Sequence, residues 1–383
     1  MPRTICHIIT RLELGGAQQN TLFTVTHLDR NRFRPVVITG EPGPLDDEAR
    51  KLPGVEFHQI PLLVRAIRPL SDLRALIALI RLLRRLKPDL VHTHSSKAGI
   101  LGRAAAWLAG VPVIIHSIHG YGFTRYQSFP VRRLLIGLEC VASKCSTRIF
   151  AVSEANRQLG LELGFFPADR CVVIRSGVDL EAIRTIRVDT TATKRALGLE
   201  PGRPVVGMVA PMKPQKAPLD FIRVAAKVAA KKPDTQFLFV GDGELRGAVE
   251  AEIEQLGLVK SVRLAGWRRD VPAIMRCLDV FVLTSLWEGL PRVYLEALAS
   301  GVPVVGTRVD GAAEVVRDGI NGYLLAPGDI NGLADRVLAL LGNPTLAADM
   351  GKRGRALPQE FDIHDMVRRQ EEEYETLLAA LKR

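Results

Sequence analysis

Short apolar runs alternate along this chain with longer stretches of helical period. Residues 4–9, 34–38, 55–60, 88–94, 113–119, 147–152 and 171–174 are apolar runs of strand length. Between them, residues 17–28, 71–86, 97–109 and 132–144 repeat their apolar positions every three to four residues, as one face of a helix does. The alternation pauses over residues 179–203, a polar stretch that ends in Glu200-Pro-Gly-Arg-Pro204. It resumes with runs at 205–209, 236–240, 262–264, 280–283 and 302–305, each followed by a loop and a helical pattern. A charged helix is expected at the end, from about 363 to 382.

Strands alternating with helices predict α/β architecture with mainly parallel, doubly wound sheets. The pause divides the chain into two Rossmann-like domains, residues 1–180 and 204–362, with 181–203 as a linker. The helix 363–383 is expected to pack back on the first domain. Ligands of such sheets bind outside the carboxyl ends of the strands. The glycine turns at 15–16, 120, 241–243 and 289 all follow predicted strands. Two domains facing each other would place these turns across a cleft.

Composition narrows the class. The chain has 383 residues, 47% of them hydrophobic, enough for two ordinary cores. Its five cysteines are scattered and contain no Cys-x-x-Cys, which argues for a reducing compartment and against both a disulfide framework and a zinc site. No uninterrupted apolar run approaches the ~20 residues of a membrane span. A cytoplasmic protein, peripheral on the inner face of the cell membrane, is expected. The net charge of +11 is uneven: residues 1–180 hold 24 Lys/Arg against 14 Asp/Glu, and residues 181–383 hold 28 against 27. Aromatics are 5% and no nucleic-acid-binding motif is present, so nucleic acid is not the expected partner.

The densest chemistry lies at residues 283–296. The run 279–283 reads as a strand, Pro291 suits the first position of a helix, and Gly301 suits its left-handed end. A helix N-terminus after a glycine loop binds phosphate. Glu288 and Glu296 bracket it, and Gly289 permits close approach of a ligand. This pattern suggests a nucleotide-sugar site.

Glu288-x7-Glu296 with Gly289-Leu-Pro is accompanied by Glu13-Leu-Gly-Gly-Ala-Gln18, Thr93-His-Ser-Ser-Lys-Ala-Gly99, Ser117-Ile-His-Gly-Tyr-Gly-Phe123 and Val152-Ser-Glu154. In the second half stand Lys213-Pro-Gln-Lys216, Val240-Gly-Asp-Gly-Glu244, and Gly306-Thr-Arg-Val-Asp-Gly311 with Glu314. Together these resemble the retaining GT-B glycosyltransferases of family 4, the group 1 glycosyl transferases, over nearly the whole length. The resemblance implies a GT-B fold and a metal-independent transfer of a hexose-type sugar from a nucleoside diphosphate to an acceptor hydroxyl. It implies a UDP-sugar donor, with a GDP-sugar as the alternative, no cofactor, and a glycan or lipid-linked acceptor in cell-surface polysaccharide or lipid-linked glycan synthesis.

The resemblance also assigns roles. Lys216 stabilises the departing phosphate, Glu288 sits by the sugar, and His119 hydrogen-bonds it. Gly289, Leu290 and Arg292 belong to the turn that meets the diphosphate, though Pro291 has no N–H to offer. Glu296 holds the ribose; its bland alternative is a salt bridge to Arg292. Gly15 and Gly16 contact donor phosphate or acceptor, and Gly241 supports the nucleotide. The family's arginine five positions before Lys216 is absent here, where Pro211 stands, and Lys213 is the candidate replacement. A GT-B nucleotide-sugar epimerase and a non-catalytic nucleotide-sugar-binding protein are the alternatives.

Two further patterns concern histidines and arginines. His92 and His94 share one strand face, which can make a metal pair. No third ligand at suitable spacing is evident, so they read as structural and no metal is expected. Arg65, Arg68, Arg74, Arg81, Arg84, Arg85 and Lys87 accompany Leu73, Leu76, Ile77, Ile80, Leu83 and Leu86 at helical spacing. Such a basic amphipathic helix suits an anionic membrane surface, or packs on the sheet by its leucine face. Arg132 and Arg133 before Leu134-Leu-Ile136 form a second membrane candidate.

Overall fold

The computed structural model describes residues 1–381; the last two residues of the expected C-terminal helix, 382 and 383, lie outside the described residues. The first sheet contains β1 (Arg3–Ile9), β2 (Phe33–Thr39), β3 (Glu56–Gln59), β4 (Leu90–His94), β5 (Val113–Ile118), β6 (Arg148–Ala151) and β7 (Cys171–Val173), in the order β3-β2-β1-β4-β5-β6-β7. The second contains β8 (Val205–Val209), β9 (Gln236–Val240), β10 (Val262–Leu264), β11 (Val280–Leu283), β12 (Val304–Thr307) and β13 (Gly322–Leu325), in the order β10-β9-β8-β11-β12-β13. Every pairing in both sheets is parallel. These are the two doubly wound, Rossmann-like domains of the GT-B architecture. Strand order reverses between β1 and β4 in one sheet and between β8 and β11 in the other, and ligands bind at such switch points.

Parallel strands are covered on both faces, so their side chains are apolar in both directions. All four residues of β11 are fully buried. In β1, Cys6 and Ile8 pack with Leu79 and Leu83 of the helix Pro69–Leu86 and with Ala105 of the helix Ser96–Ala109. Ile5 points to the other face, against Ile363, Met366 and Tyr374 of the helix Ile363–Ala380. The chain therefore forms two compact units: residues 1–177 together with the segment from Asp362, and Val178–Phe361.

Two local expectations are revised, and one strand was not foreseen. Residues 181–203, read as a linker, carry the helices Leu180–Thr185 and Thr190–Ala196, N-capped by Asp179 and Asp189. Arg276 binds the carbonyls of Ile183 and Arg184, at 3.0 Å each, which ties the first of these helices into the second unit. Both helices are too short to show a clear apolar period. The strand β13 went unread because it has four residues and begins with glycine. A Cβ at Gly322 would lie 2.3 Å from the Val304 carbonyl oxygen, so the glycine is what lets this edge strand pair. The helix after β11 begins at Arg292, leaving Pro291 as its N-cap.

The seat of that helix rests on another glycine. Tyr294, fully buried, leans from Arg292–Ala299 onto β12, and a Cβ at Gly306 would come within 1.9 Å of its hydroxyl. Gly306→Ala should therefore destabilise the protein by about 1–3 kcal/mol. In urea unfolding, Tyr294→Phe in the same chain should recover part of that loss. Strict additivity of the two substitutions would show that they do not meet.

Candidate active site

The loops that leave β8 and β11 at the second switch point are stitched together by groups that each strand end supplies. The Thr284 hydroxyl, fully buried, lies 3.0 Å from the Lys216 carbonyl oxygen and 2.9 Å from that of Ala217, in a three-centre bond. The Leu286 N–H donates to the Gln215 carbonyl (2.8 Å), and the Gln215 side-chain amide donates to the Trp287 carbonyl (2.9 Å). The result brings Lys216, in the 3-10 turn Pro214–Lys216, into an ion pair with Glu288. The same carboxylate oxygen accepts from the Ser285 hydroxyl at 2.6 Å. Both partners are mostly buried, with side-chain exposures of 15% and 8%. A pair this far from water holds its geometry, and removing one partner strands the other.

The backbone around the pair is constrained. Asp310 accepts the Glu288 N–H at 2.6 Å, Thr307 donates to the Ser285 carbonyl at 2.5 Å, and the Gly311 N–H donates to the Gly289 carbonyl at 3.2 Å. Ala217 (φ 42°) and Asp310 (φ 37°) both occupy the left-handed region, which costs a non-glycine residue about 1–3 kcal/mol and persists only where the surroundings over-determine it. Gly289, Leu290 and Arg292 follow directly, leading into the eight-residue helix that carries Glu296. Its first-turn N–H groups face the loop side, as at any helix N-terminus. Gly301 (φ 83°) ends the helix, its N–H bonded to Leu298 and the Val302 N–H to Ala297.

Glu296 is mostly buried and lies 4.0 Å from Arg292, at the limit of an ion pair. Burial raises the pKa of its carboxyl, and Arg292 draws it back only in part. Burial likewise lowers that of the Arg292 guanidinium. Gly241 (φ 133°), at the end of β9, braces the loop after β8 that leads to Lys213 and Lys216: a Cβ there would stand 1.9 Å from the Ala210 carbonyl oxygen, and the Met212 N–H donates to the Asp242 carbonyl at 2.9 Å. Lys213 caps the turn that holds Lys216. The partners Thr284, Ser285, Gln215 and Asp310 were given no role in the sequence, although Gln215 and Asp310 lie within quoted motifs and Thr284 and Ser285 within the stretch 283–296.

The remaining candidates belong to the first unit. Gly15 and Gly16 form the N-cap and first residue of the helix Gly16–His27, after β1. His119 follows β5 and is half-buried, with its Nε2 3.1 Å from His94 Nδ1. One expectation is overturned here. His92 and His94 do have a third histidine beside them: His7, whose ligand atom lies with theirs inside 4.8 Å. The parallel register sets His7 opposite His92, a pairing that sequence spacing does not reveal.

The basic stretch of the first unit is exposed, but its apolar face is not the expected one. Ala75, Leu79 and Leu83 are buried in the helix Pro69–Leu86, with Leu76, Ile80 and Leu86 partly buried beside them. Leu70, Leu73 and Ile77 stay outside with Arg65, Arg68, Arg74, Arg81, Arg84, Arg85 and Lys87. Asp72, the acid of the group, is paired with Lys97 at 2.5 Å. The helix Phe129–Lys144 leaves Phe129, Val131, Leu134, Leu138 and Val141 exposed, Phe129 at 73% and Val141 at 65%, next to exposed Arg132 and Arg133. Among the described residues no helix is long and apolar enough to cross a membrane.

Two parallel switch-point sheets, with a lysine–glutamate pair beside a helix N-terminus, fit the GT-B glycosyltransferases that the motifs resemble. Residues 189–357 match the family "Glycosyl transferases group 1" and residues 14–182 match "Glycosyltransferase Family 4". The chain belongs to the group 1 glycosyltransferases. It is 34% identical over 345 residues to the UDP-Gal:alpha-D-GlcNAc-diphosphoundecaprenol alpha-1,3-galactosyltransferase of Escherichia coli, covering 89% of each chain. It is 26% identical over 337 residues to the N-acetyl-alpha-D-glucosaminyl L-malate synthase of Bacillus anthracis, covering 85% of this chain and 84% of that one. In fold it resembles Anabaena Alr3699/HepE in complex with UDP-glucose, with TM-score 0.84, 24% identity, and coverage of 97% and 99%.

The buried Glu296 carboxyl makes a prediction about pH. Its value is raised on folding, so its ionised form costs stability at neutral pH. That cost fades as pH falls from the raised value to the ordinary carboxylate one, below which both states are protonated. Glu296→Gln should therefore melt above the parent near neutral pH in the absence of donor, with the gap closing in acid. A gap independent of pH would mean that the gain is not electrostatic.

Proposed function

We propose that the protein is a retaining, metal-independent glycosyltransferase that moves a sugar from a UDP-sugar to an acceptor hydroxyl in cell-surface polysaccharide or lipid-linked glycan synthesis. The observation that carries this reading is the buried Lys216–Glu288 pair beside the Gly289–Arg292 turn. The bond between the sugar anomeric carbon and the β-phosphate oxygen breaks, and the charge left on the diphosphate falls to Lys216 and the backbone N–H groups of that turn. Such fixed donors stabilise developing charge without needing to reorganise. An ammonium group has three N–H donors, so Lys216 can keep Glu288 and still meet a phosphate oxygen. The acceptor oxygen bonds to the same face of the anomeric carbon, and its proton passes to the departing phosphate. Glu288, oriented by Ser285 and Lys216, positions the sugar and supports its positive charge. Glu296 accepts from the ribose hydroxyls, which would relieve its poor pairing to Arg292.

The donor and acceptor classes rest on relatives. The Escherichia coli relative is named for UDP-Gal and a diphosphoundecaprenol acceptor, and the Anabaena neighbour was solved with UDP-glucose. A lipid-linked acceptor fits the first unit's exposed arginines and its stripe Val131, Leu134, Leu138 and Val141, which recurs at helical spacing. Apolar side chains enter the headgroup boundary while basic ones meet anionic lipid. We place the protein on an anionic membrane surface through these two helices.

Nucleotide release against a panel of UDP- and GDP-sugars should identify one preferred donor. Lys216→Ala and Glu288→Ala should each lower kcat by about 100-fold or more. Full activity in both would overturn the site. For the membrane surface, sedimentation should find the protein on anionic vesicles at low salt and release it at high salt. Arg84→Glu with Arg85→Glu should weaken binding by about 1 kcal/mol or more per residue. No binding at low salt would sink the membrane reading.

A further inference from the structure

The first sheet buries a row of imidazoles at its own switch point. His7 on β1 lies opposite His92 on β4, and His94 ends β4 on the same face. His7 Nδ1 is 3.0 Å from His94 Nε2, and His94 Nδ1 is 3.1 Å from His119 Nε2. His92 stands beside the row but is engaged elsewhere, with Nδ1 2.6 Å from the Tyr374 hydroxyl and Nε2 2.8 Å from Ser117 Oγ. His7 and His92 are fully buried and His94 nearly so, and His7 Nε2 has no hydrogen-bond partner.

Burial and the neighbouring imidazoles hold His94 well below the ordinary imidazole value, and burial holds His7 down to about 3. Both are neutral at neutral pH. A neutral imidazole has one N–H and one lone pair. His94 must then donate through one nitrogen and accept at the other, so its two hydrogen bonds run in the same direction. Either His7 and His94 carry the proton on Nδ1 and His119 accepts at its Nε2, or His7 and His94 carry it on Nε2 and His119 donates from its Nε2. The Nε2 arrangement leaves an N–H at the buried, unpartnered nitrogen of His7, whereas the Nδ1 arrangement leaves only a lone pair there. By analogy with backbone groups, where an orphaned buried N–H is rarer than an under-satisfied acceptor, the Nδ1 arrangement is favoured.

We propose that His7 and His94 are positioning residues that lock His119 in the Nδ1–H tautomer, with its Nε2 accepting from His94. The tautomer decides which ring nitrogen of His119 can donate to a ligand. The functional half of the proposal rests on reading His119 as the histidine that meets the donor sugar. The same rings satisfy the distance requirement for a metal, but His92 and His94 have both nitrogens engaged, so an ion would have to displace hydrogen bonds already made.

Long-range proton–nitrogen spectra of the full chain, labelled with nitrogen-15 histidine and assigned by single substitutions, read each tautomer directly. His7, His94 and His119 should all show Nδ1–H at neutral pH. His94→Leu should release His119 into a mixture of tautomers and lower kcat/KM by about 10- to 100-fold, as loss of an orienting partner does for a metal-bound histidine. His94→Asn keeps an amide N–H where Nδ1 stands, and should restore the tautomer and most of the activity. If the leucine variant fails to fold, His7→Phe supplies the same test, because it removes the donor that pins His94. A wild-type His119 in the Nε2–H form would overturn the proposal. So would a His119 tautomer unmoved by both His94→Leu and His7→Phe, or one equivalent of zinc whose chelation shifts these signals. A fully active His119→Ala enzyme would remove the donor-site reading and the functional half with it, while the tautomer pattern decides the rest.

Discussion

A parallel sheet sends all its chains out at one edge, and this constraint organises the molecule. Where strand order reverses, two successive loops diverge and leave backbone that neither covers. In the second unit that place lies between β8 and β11, where Lys216 and Glu288 stand. In the first it lies between β1 and β4, and the Gly15–Gly16 turn and the histidine row gather there. The lysine–glutamate pair stands on loops beyond the strand ends, whereas the histidine row runs back into the sheet, with His7 and His92 paired inside β1 and β4.

Holding polar groups at such an edge requires rigid loops, and strain marks where the rigidity is concentrated. Among the described residues, four non-glycine positions have positive φ: Lys87, Ser95, Ala217 and Asp310. Ala217 follows Lys216, Asp310 holds the Glu288 N–H, and Ser95 follows His94. Three of the four therefore flank a switch point. Ser95 is itself pinned, its Oγ 2.8 Å from Thr10 Oγ1 at the end of β1. Local backbone energy is given up at these points, and hydrogen bonds across the neighbouring loop hold the result in place.

The period of the apolar residues made most of this architecture legible, because doubly covered parallel strands leave an apolar signal that amphipathic helices do not mimic. Elements without such a signal escaped: β13, with four residues and a leading glycine, and the short helices capped by Asp179 and Asp189. Leu73 and Ile77 fit the helical spacing of the packed leucines, yet they stay in solvent. Spacing fixes a stripe but not which of its edges meets the sheet. Glu288, Glu296 and Lys216 were picked out by type and order, but the contact of Lys216 with Glu288 was not, because it depends on how the loops after β8 and β11 fold together. Their supports Thr284, Ser285 and Asp310 were not readable, since a hydroxyl or carboxylate beside a motif has many uses. His7 escaped for a different reason: it is 85 residues from His92 in the chain, and only the pairing of β1 with β4 makes them neighbours.

The return of the chain to the first unit at Asp362 sets a timetable for synthesis. The ribosome makes all of Val178–Phe361 before it reaches the helix that covers Ile5, Phe33 and Phe150. At about 5–20 residues per second, the first sheet waits roughly 10–40 s with one apolar face uncovered. Tyr374, which holds His92, arrives only with that last helix. The second unit can complete itself as it emerges, whereas the first is a nascent-chain client for that interval, in need of a chaperone or of its own incomplete packing to keep the exposed face from aggregating.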